Sequence, residues 1–187
     1  MIDIPCVILA GGKSSRMGKD KSLLPFEISS SIIEYQYNRL TKIFTNVYIS
    51  SKSNKFTTLD TNRLILDNDD ISSPMVALKA ILNIFDGKVF IIAVDTPFIR
   101  YETIHSIINC SSSYDITIAS SNDRVHNLCG IFSTALIHKI DNYLKDNIHK
   151  INFLVKNSNT KIIDFKDSKQ FLNINTKEDY QKALKQL

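Results

Sequence analysis

The sequence predicts an α/β fold of three layers, a mostly parallel central sheet covered by helices on both faces, as a single domain over residues 1–187. Three observations predict it. Short β-branched runs alternate with helical patterns, the arrangement that joins parallel strands by crossover helices. The run Val89-Phe90-Ile91-Ile92-Ala93-Val94 is apolar on both faces, as a strand shielded from both sides must be. A length of 187 residues suits one sizeable core and is short for two ordinary domains.

In chain order, strands are expected over Pro5 to Ala10, Val47 to Ser50, Leu64 to Leu66, Val89 to Val94, Ile116 to Ala119, Leu128 to Phe132 and Lys161 to Phe165. A first helix opens at Ser31-Ile32-Ile33-Glu34, a capping-box pattern, and continues through Ile33, Tyr37, Leu40 and Phe44 at helical spacing. Ser73-Pro74 gives a second helix its N-cap and a proline in its first turn. Leu78, Ile81, Leu82 and Phe85 form the apolar face of that helix, and Asp86-Gly87 stops it. Thr176 caps a last helix whose stripe is Tyr180, Ala183, Leu184 and Leu187. Lys52 to Asn62 reads as a loop and Ser120 to Asn127 as a polar turn.

Composition narrows the function. The net charge of +4 is scattered, without a lysine-rich run or interleaved aromatics, so free nucleotides fit it better than nucleic acid does. Cys6, Cys110 and Cys129 are odd in number and unrelated in spacing, which argues for free thiols in a reducing compartment. The start of the chain lacks a signal-peptide pattern, and no apolar run reaches membrane-spanning length; a cytoplasmic protein without membrane association is the expectation.

The segment Leu9-Ala10-Gly11-Gly12-Lys13-Ser14-Ser15-Arg16-Met17-Gly18-Lys19-Asp20-Lys21 carries the strongest chemical signal. Gly11 and Gly12 allow close backbone approach to a ligand and dihedrals closed to other residues, so that successive N–H groups can face phosphate oxygens. Lys13, Arg16, Lys19 and Lys21 add cations, and Arg can grip an oxyanion with two parallel bonds. Two familiar glycine motifs do not fit. A P-loop ending in Gly12-Lys13-Ser14 would need glycine where Val7 stands, and one ending in Gly18-Lys19 meets Lys13 there and Asp20 afterwards. The dinucleotide fingerprint needs G-x-G-x-x-G, whereas these glycines are adjacent.

In open α/β sheets ligands bind beyond the carboxyl ends of strands, so residues just after strands are the first candidates. Asp95, in Asp95-Thr96-Pro97, ends the most apolar strand, where an unpaired carboxylate is costly. A Mg²⁺ ion that also takes substrate phosphates would satisfy it; capping a following helix is the plainer alternative. Asp67, after the third strand, could hydrogen-bond a base edge or a ribose, or simply belong to an acidic turn. His105, His126, His138 and His149 are scattered and read as surface or hydrogen-bonded core residues.

The loop resembles the signature L-A-G-G-x-S-x-R-M-G-x-D-K of the MobA-type molybdenum cofactor guanylyltransferases, and every fixed position from Leu9 to Lys21 is met. The resemblance implies a Rossmann-like fold and an enzyme that transfers GMP from GTP to molybdenum-molybdopterin. It implies that Leu9, Ala10, Gly11, Lys21 and Asp67 contact the nucleotide and that Asp95 holds Mg²⁺; with the loop reading above, Gly12 and Asp95 join the expected nucleotide-binding set, and Arg16 and Lys21 are expected to grip the triphosphate. Phe171-Leu172-Asn173-Ile174-Asn175-Thr176 is similar to the family's N-x-N-T segment, which implies that Asn173 and Asn175 face the pterin substrate or the pocket. Lys150 stands where members carry an Arg on the pterin side. Other molybdenum cofactor biosynthesis proteins and acceptor molybdoenzymes are the partners implied. Two departures bear on base recognition: Ser73-Pro74-Met75-Val76-Ala77 replaces Gly-Pro-Leu-x-G, and Ser50-Ser51 replaces an Asn after the second strand.

The reaction expected joins an acceptor phosphate to the α-phosphorus of a triphosphate with release of pyrophosphate, and positioning with electrostatics suffices for it. Alternatives are a transferase using CTP or a sugar or alcohol phosphate, and a non-catalytic GTP-binding protein that delivers cofactor.

Overall fold

A computed structural model describes residues 1–11, 20–56, 60–66, 71 and 73–187. Four parallel strands, β1 (Cys6–Leu9), β2 (Val47–Ser51), β3 (Leu64–Leu66) and β4 (Lys88–Ala93), form the first half of one sheet. The second half holds β5 (Ile116–Ser121), β6 (Arg124–Ser133) and β7 (Thr160–Asp164). The spatial order is β3-β2-β1-β4-β6-β5-β7, and β6 alone runs against its neighbours.

Side-chain alternation along the strands divides the core in two. Ile8, Phe90 and Ile92 point to the face covered by α1 (Ile32–Leu40), α3 (Tyr101–Asn109) and α6 (Lys177–Leu184), through Ile33, Leu40, Ile104, Ile107 and Ala183. Val7, Val89 and Ile91 point to the other, under α2 (Pro74–Leu82), α4 (Ile137–Lys145) and α5 (Ile151–Lys156), against Met75, Leu78, Ile140 and Leu154. Val89 to Ile92 are wholly buried, each such side chain contributing about 1.5–3 kcal/mol. No helix among the described residues is long and apolar enough to cross a membrane.

The expected caps form. Ser31 Oγ accepts from Glu34 N at 3.3 Å, Ser73 Oγ from Val76 N at 3.2 Å, and Thr176 with Asp179 closes a reciprocal capping box. Helix ends differ from expectation. α1 stops at Leu40 and α2 at Leu82, so Phe44 and Phe85 pack from beyond the helices, and Leu187 is exposed past α6. Gly87 takes a φ of 81° after α2, as a chain-reversing glycine does.

The expected polar turn over Ser120 to Asn127 is instead a hairpin. Only Asn122 and Asp123 turn, with φ of 48° and 60°, values these two residue types tolerate and type I′ turns require. Ser120 and Ser121 lie in β5, and Arg124 to Asn127 in β6. The ladder then slips: Ile118 pairs with Gly130 but Ala119 with His126, so Asn127, Leu128 and Cys129 bulge out of register with β5. Gly130 pays for this closeness by having no side chain; a Cβ there would lie 2.2 Å from Thr117 O and 2.8 Å from Ile118 Cα.

Candidate active site

The chain runs from β1 to β2 and β3 on one side, then returns to β4 on the other, so the strand order reverses between β1 and β4. Their carboxyl ends leave a crevice there. Leu9 pairs with Ala93, and Val94 N donates to Leu9 O at 3.0 Å, which brings Ala10-Gly11 and Asp95 out of the sheet side by side. Gly12 to Lys19, with Arg16, lie outside the described residues, as does Asp67.

Asp95 does not cap a helix: α3 starts at Tyr101 with Arg100 as its N-cap. Its carboxylate instead meets Lys21, whose Nζ donates to Asp95 Oδ2 at 2.6 Å and to Asn175 Oδ1 at 3.1 Å. The two charged side chains are 19% and 18% exposed, buried enough to hold their geometry and open enough to exchange partners with an entering ligand. Asn173, Ile174 and Asn175 arrive from the far end of the chain, where Ile174 N donates to Asp95 O at 2.9 Å. The Asn175 backbone N–H donates to Asp179 at the start of α6, so that helix fixes the asparagine.

Lys21 itself is held by its neighbours. Asp20 caps the short 3₁₀ turn Lys21–Leu23, accepting from Ser22 N at 3.0 Å and Ser22 Oγ at 2.7 Å, and pairs with Lys55, which also reaches Ala10 O. Burial acts to raise the Asp20 pKa, but the bonds from Lys55 and Ser22 outweigh it and keep the group below the usual carboxylate range. On the opposite side, buried Gln36 of α1 donates to Thr96 O at 3.0 Å and accepts from Arg39 at 2.7 Å. Lys55 and Gln36 are the positioning residues that sequence reasoning missed. Lys55 sits in an unpatterned polar stretch, and Gln36 is a polar residue on the buried side of an amphipathic helix, a signal that was present.

Gly11 has an ordinary negative-φ backbone, so the expectation of a dihedral closed to other residues does not hold there. A Cβ at Gly11 would meet nothing within 4 Å among the described residues.

Next to Asp95 lies a cavity of about 220 Å³, lined among others by Asn173, Arg124, His126, Asn127, Leu128 and Cys129. His126 bonds Ser121 Oγ at 2.8 Å and stacks on Phe171 at 4.2 Å; burial, reinforced by the Arg124 charge, lowers its pKa to about 4, so it is neutral near pH 7. Burial pushes the Cys129 thiol up to about 12 against the opposing charge of Arg39, which leaves it an unreactive wall. Lys150 is not among the residues lining the cavity; it precedes α5, exposed, beside His149, whose Nδ1 is 3.2 Å from Ser73 Oγ.

The donor set suits a hard divalent cation. Asp95 offers one carboxylate already balanced by a positive charge, and no group of three or more His, Cys, Asp or Glu gathers among the described residues. Mg²⁺ or Mn²⁺, which accept one or two carboxylates and fill their shells with phosphate and water, match it better than a metal needing an all-protein cage.

Residues 6–161 match the family model of the MobA-like NTP transferase domain. A molybdenum cofactor guanylyltransferase from Campylobacter jejuni subsp. doylei is 38% identical, with 99% of this chain and 97% of that protein covered. Among solved structures, molybdopterin-guanine dinucleotide biosynthesis protein A from Archaeoglobus fulgidus superposes with a TM-score of 0.81 at 19% identity, covering 97% of each chain. A Mycobacterium tuberculosis protein solved in complex with manganese superposes with a TM-score of 0.70 at 16% identity, covering 99% of this chain and all of its own.

Proposed function

The chain belongs to the MobA-like NTP transferase family, and from that membership we propose that it transfers GMP from GTP to molybdenum-molybdopterin, giving the guanine dinucleotide cofactor and pyrophosphate. The observation that carries this reading is the meeting of Lys21, Asp95 and Asn175 in the crevice where Gly11 emerges. A phosphate-binding loop and a strand-end carboxylate in one crevice are what triphosphate chemistry requires.

In the reaction an oxygen of the acceptor phosphate forms a bond to the α-phosphorus of GTP while the α–β bridging bond breaks and pyrophosphate departs. The acceptor phosphate is largely ionised near neutrality, so no general base is needed. Loop N–H groups of Ala10, Gly11 and Gly12, with Arg16, hold the triphosphate. Lys21 turns from Asp95 to the phosphates and offsets the charge that gathers on the leaving group. Asp95 would hold Mg²⁺, which would supply neutralisation of the phosphate charge. Asn175 keeps Lys21 in place, and Asp67 accepts the paired N–H groups of guanine. The reaction belongs in the cytoplasm, with product handed to molybdoenzymes.

Asp95→Ala tests the mechanism. Turnover is expected to fall by about a thousandfold while GTP-independent folding persists; near wild-type turnover at saturating Mg²⁺ removes Asp95 from it. Pyrophosphate release measured with each of the four triphosphates on molybdopterin tests the substrate, and a preference for CTP refutes GTP.

A further inference from the structure

The carboxylate in the crevice is carried by a turn, and two side chains of one helix hold that turn from behind. Ala93 to Thr96 closes tightly with Asp95 in its third position, Thr96 N donating to Ala93 O at 3.3 Å. The chain then runs without helix or strand until α3 begins at Tyr101. Gln36, buried in α1, holds both ends of the turn: its Nε2 donates to Thr96 O at 3.0 Å and to Ala93 O at 3.5 Å. Nearly one helical turn further on, Arg39 donates through Nη2 to Gln36 Oε1 at 2.7 Å and through Nη1 to Ile99 O.

On stability grounds alone Arg39 is poorly suited to its place. Burial opposes its charge and lowers its pKa, no carboxylate pairs with it among the described residues, and its buried Nε has no hydrogen-bond partner there. The ionisable groups its charge faces are Tyr35 and the thiols of Cys6 and Cys129. A cation withdrawn from water without an anion costs stability that an apolar side chain of the same length would not. What the guanidinium does for its neighbours accounts for it. Arginine only donates hydrogen bonds, so it makes the Gln36 amide present its oxygen to Arg39 and its nitrogen to the turn. Reversed, that amide would set an oxygen against two carbonyls. The same planar fork reaches Ile99 O, which ties the Asp95 turn and the segment after it to a single helix.

We propose that Arg39 is a positioning residue for Asp95, fixing through Gln36 and the Ile99 carbonyl the turn that delivers the carboxylate to the crevice. The inference rests on the function proposed above, in which Asp95 holds Mg²⁺. The test uses the full chain with Arg39→Met, which keeps the length and removes the charge and the donors. Pyrophosphate release gives kcat, and calorimetry gives GTP affinity with and without Mg²⁺. The expected result is a kcat lowered at least about tenfold and a gain in GTP affinity on adding Mg²⁺ that is about tenfold smaller than in wild type. A merely structural arginine would shift the thermal unfolding temperature and leave kcat and the Mg²⁺ gain of the folded protein at their wild-type values, which overturns the proposal. If methionine is not accommodated, Arg39→Lys, which keeps the charge and loses the planar fork, carries the same readouts. Asp95→Ala separates the two levels of the argument: wild-type turnover and Mg²⁺ gain in that variant overturn the function itself, whereas loss of both there, with neither moved by Arg39→Met, overturns this inference alone.

Discussion

Acidification from about pH 6.5 towards about pH 4 is expected to destabilise the fold through His126. The ring is 9% exposed, stacked on Phe171 and bonded to Ser121, and its pKa is lowered to about 4 by burial and by Arg124. In the unfolded chain the same group titrates near ~6.5. Above that value both states are neutral and His126 adds no pH dependence. Between the two values the unfolded chain binds a proton that the folded chain refuses, so stability falls as the pH falls, levelling once both states are protonated. The gap from 6.5 to about 4 converts to roughly 3 kcal/mol as an upper bound. The neighbouring cavity admits water, and screening brings the expected loss to about 1–2 kcal/mol. Urea unfolding of wild type and His126→Gln, compared at about pH 7.5 and about pH 4.5, isolates this contribution because the carboxylates are common to both proteins. A wild type that loses no more stability than the variant refutes the assignment of a buried neutral imidazole.

Two further outcomes are expected. Lys21→Met leaves the Asp95 carboxylate without its cation and should lower stability by about 1–3 kcal/mol, while GTP affinity, read by calorimetry, falls at least about a hundredfold; undiminished affinity would take Lys21 out of triphosphate binding. Gly130→Ala forces a methyl group against the backbone of Thr117 and Ile118, so a loss above about 3 kcal/mol in urea unfolding is expected, and a stable variant would contradict the tight β5–β6 approach.

The alternating runs that predicted the sheet were legible because β1 and β4 are buried on both faces and therefore continuously apolar. Ser31, Ser73 and Thr176 were legible because an N-cap is a local event decided within three residues. The hairpin was not: Asn122-Asp123 lacks the glycine that marks such turns, and the bulge at Asn127 to Cys129 breaks the two-residue period on which a strand reading depends. Helices α3, α4 and α5 went unassigned although Ile137, Ile140 and Leu144 carry a helical spacing; α5, at six residues, is too short to show one. Lys21, Asp95 and Asn175 each stood out singly, through motif or strand end. Their meeting depends on crossovers spanning 74 and 154 positions, and no local pattern encodes that.

The reversed direction of β6 has a consequence for how such a molecule diversifies. In a uniformly parallel sheet every strand delivers only its last residues to the reactive rim, followed by a loop. Here one strand instead begins at that rim, so the wall beyond Asp95 is a hairpin ladder drawn from one uninterrupted stretch, Ile116 to Ser133. Exchanging that stretch as a cassette would rebuild this wall while Lys21, Asp95 and Asn175, supplied by distant stretches, kept their contacts.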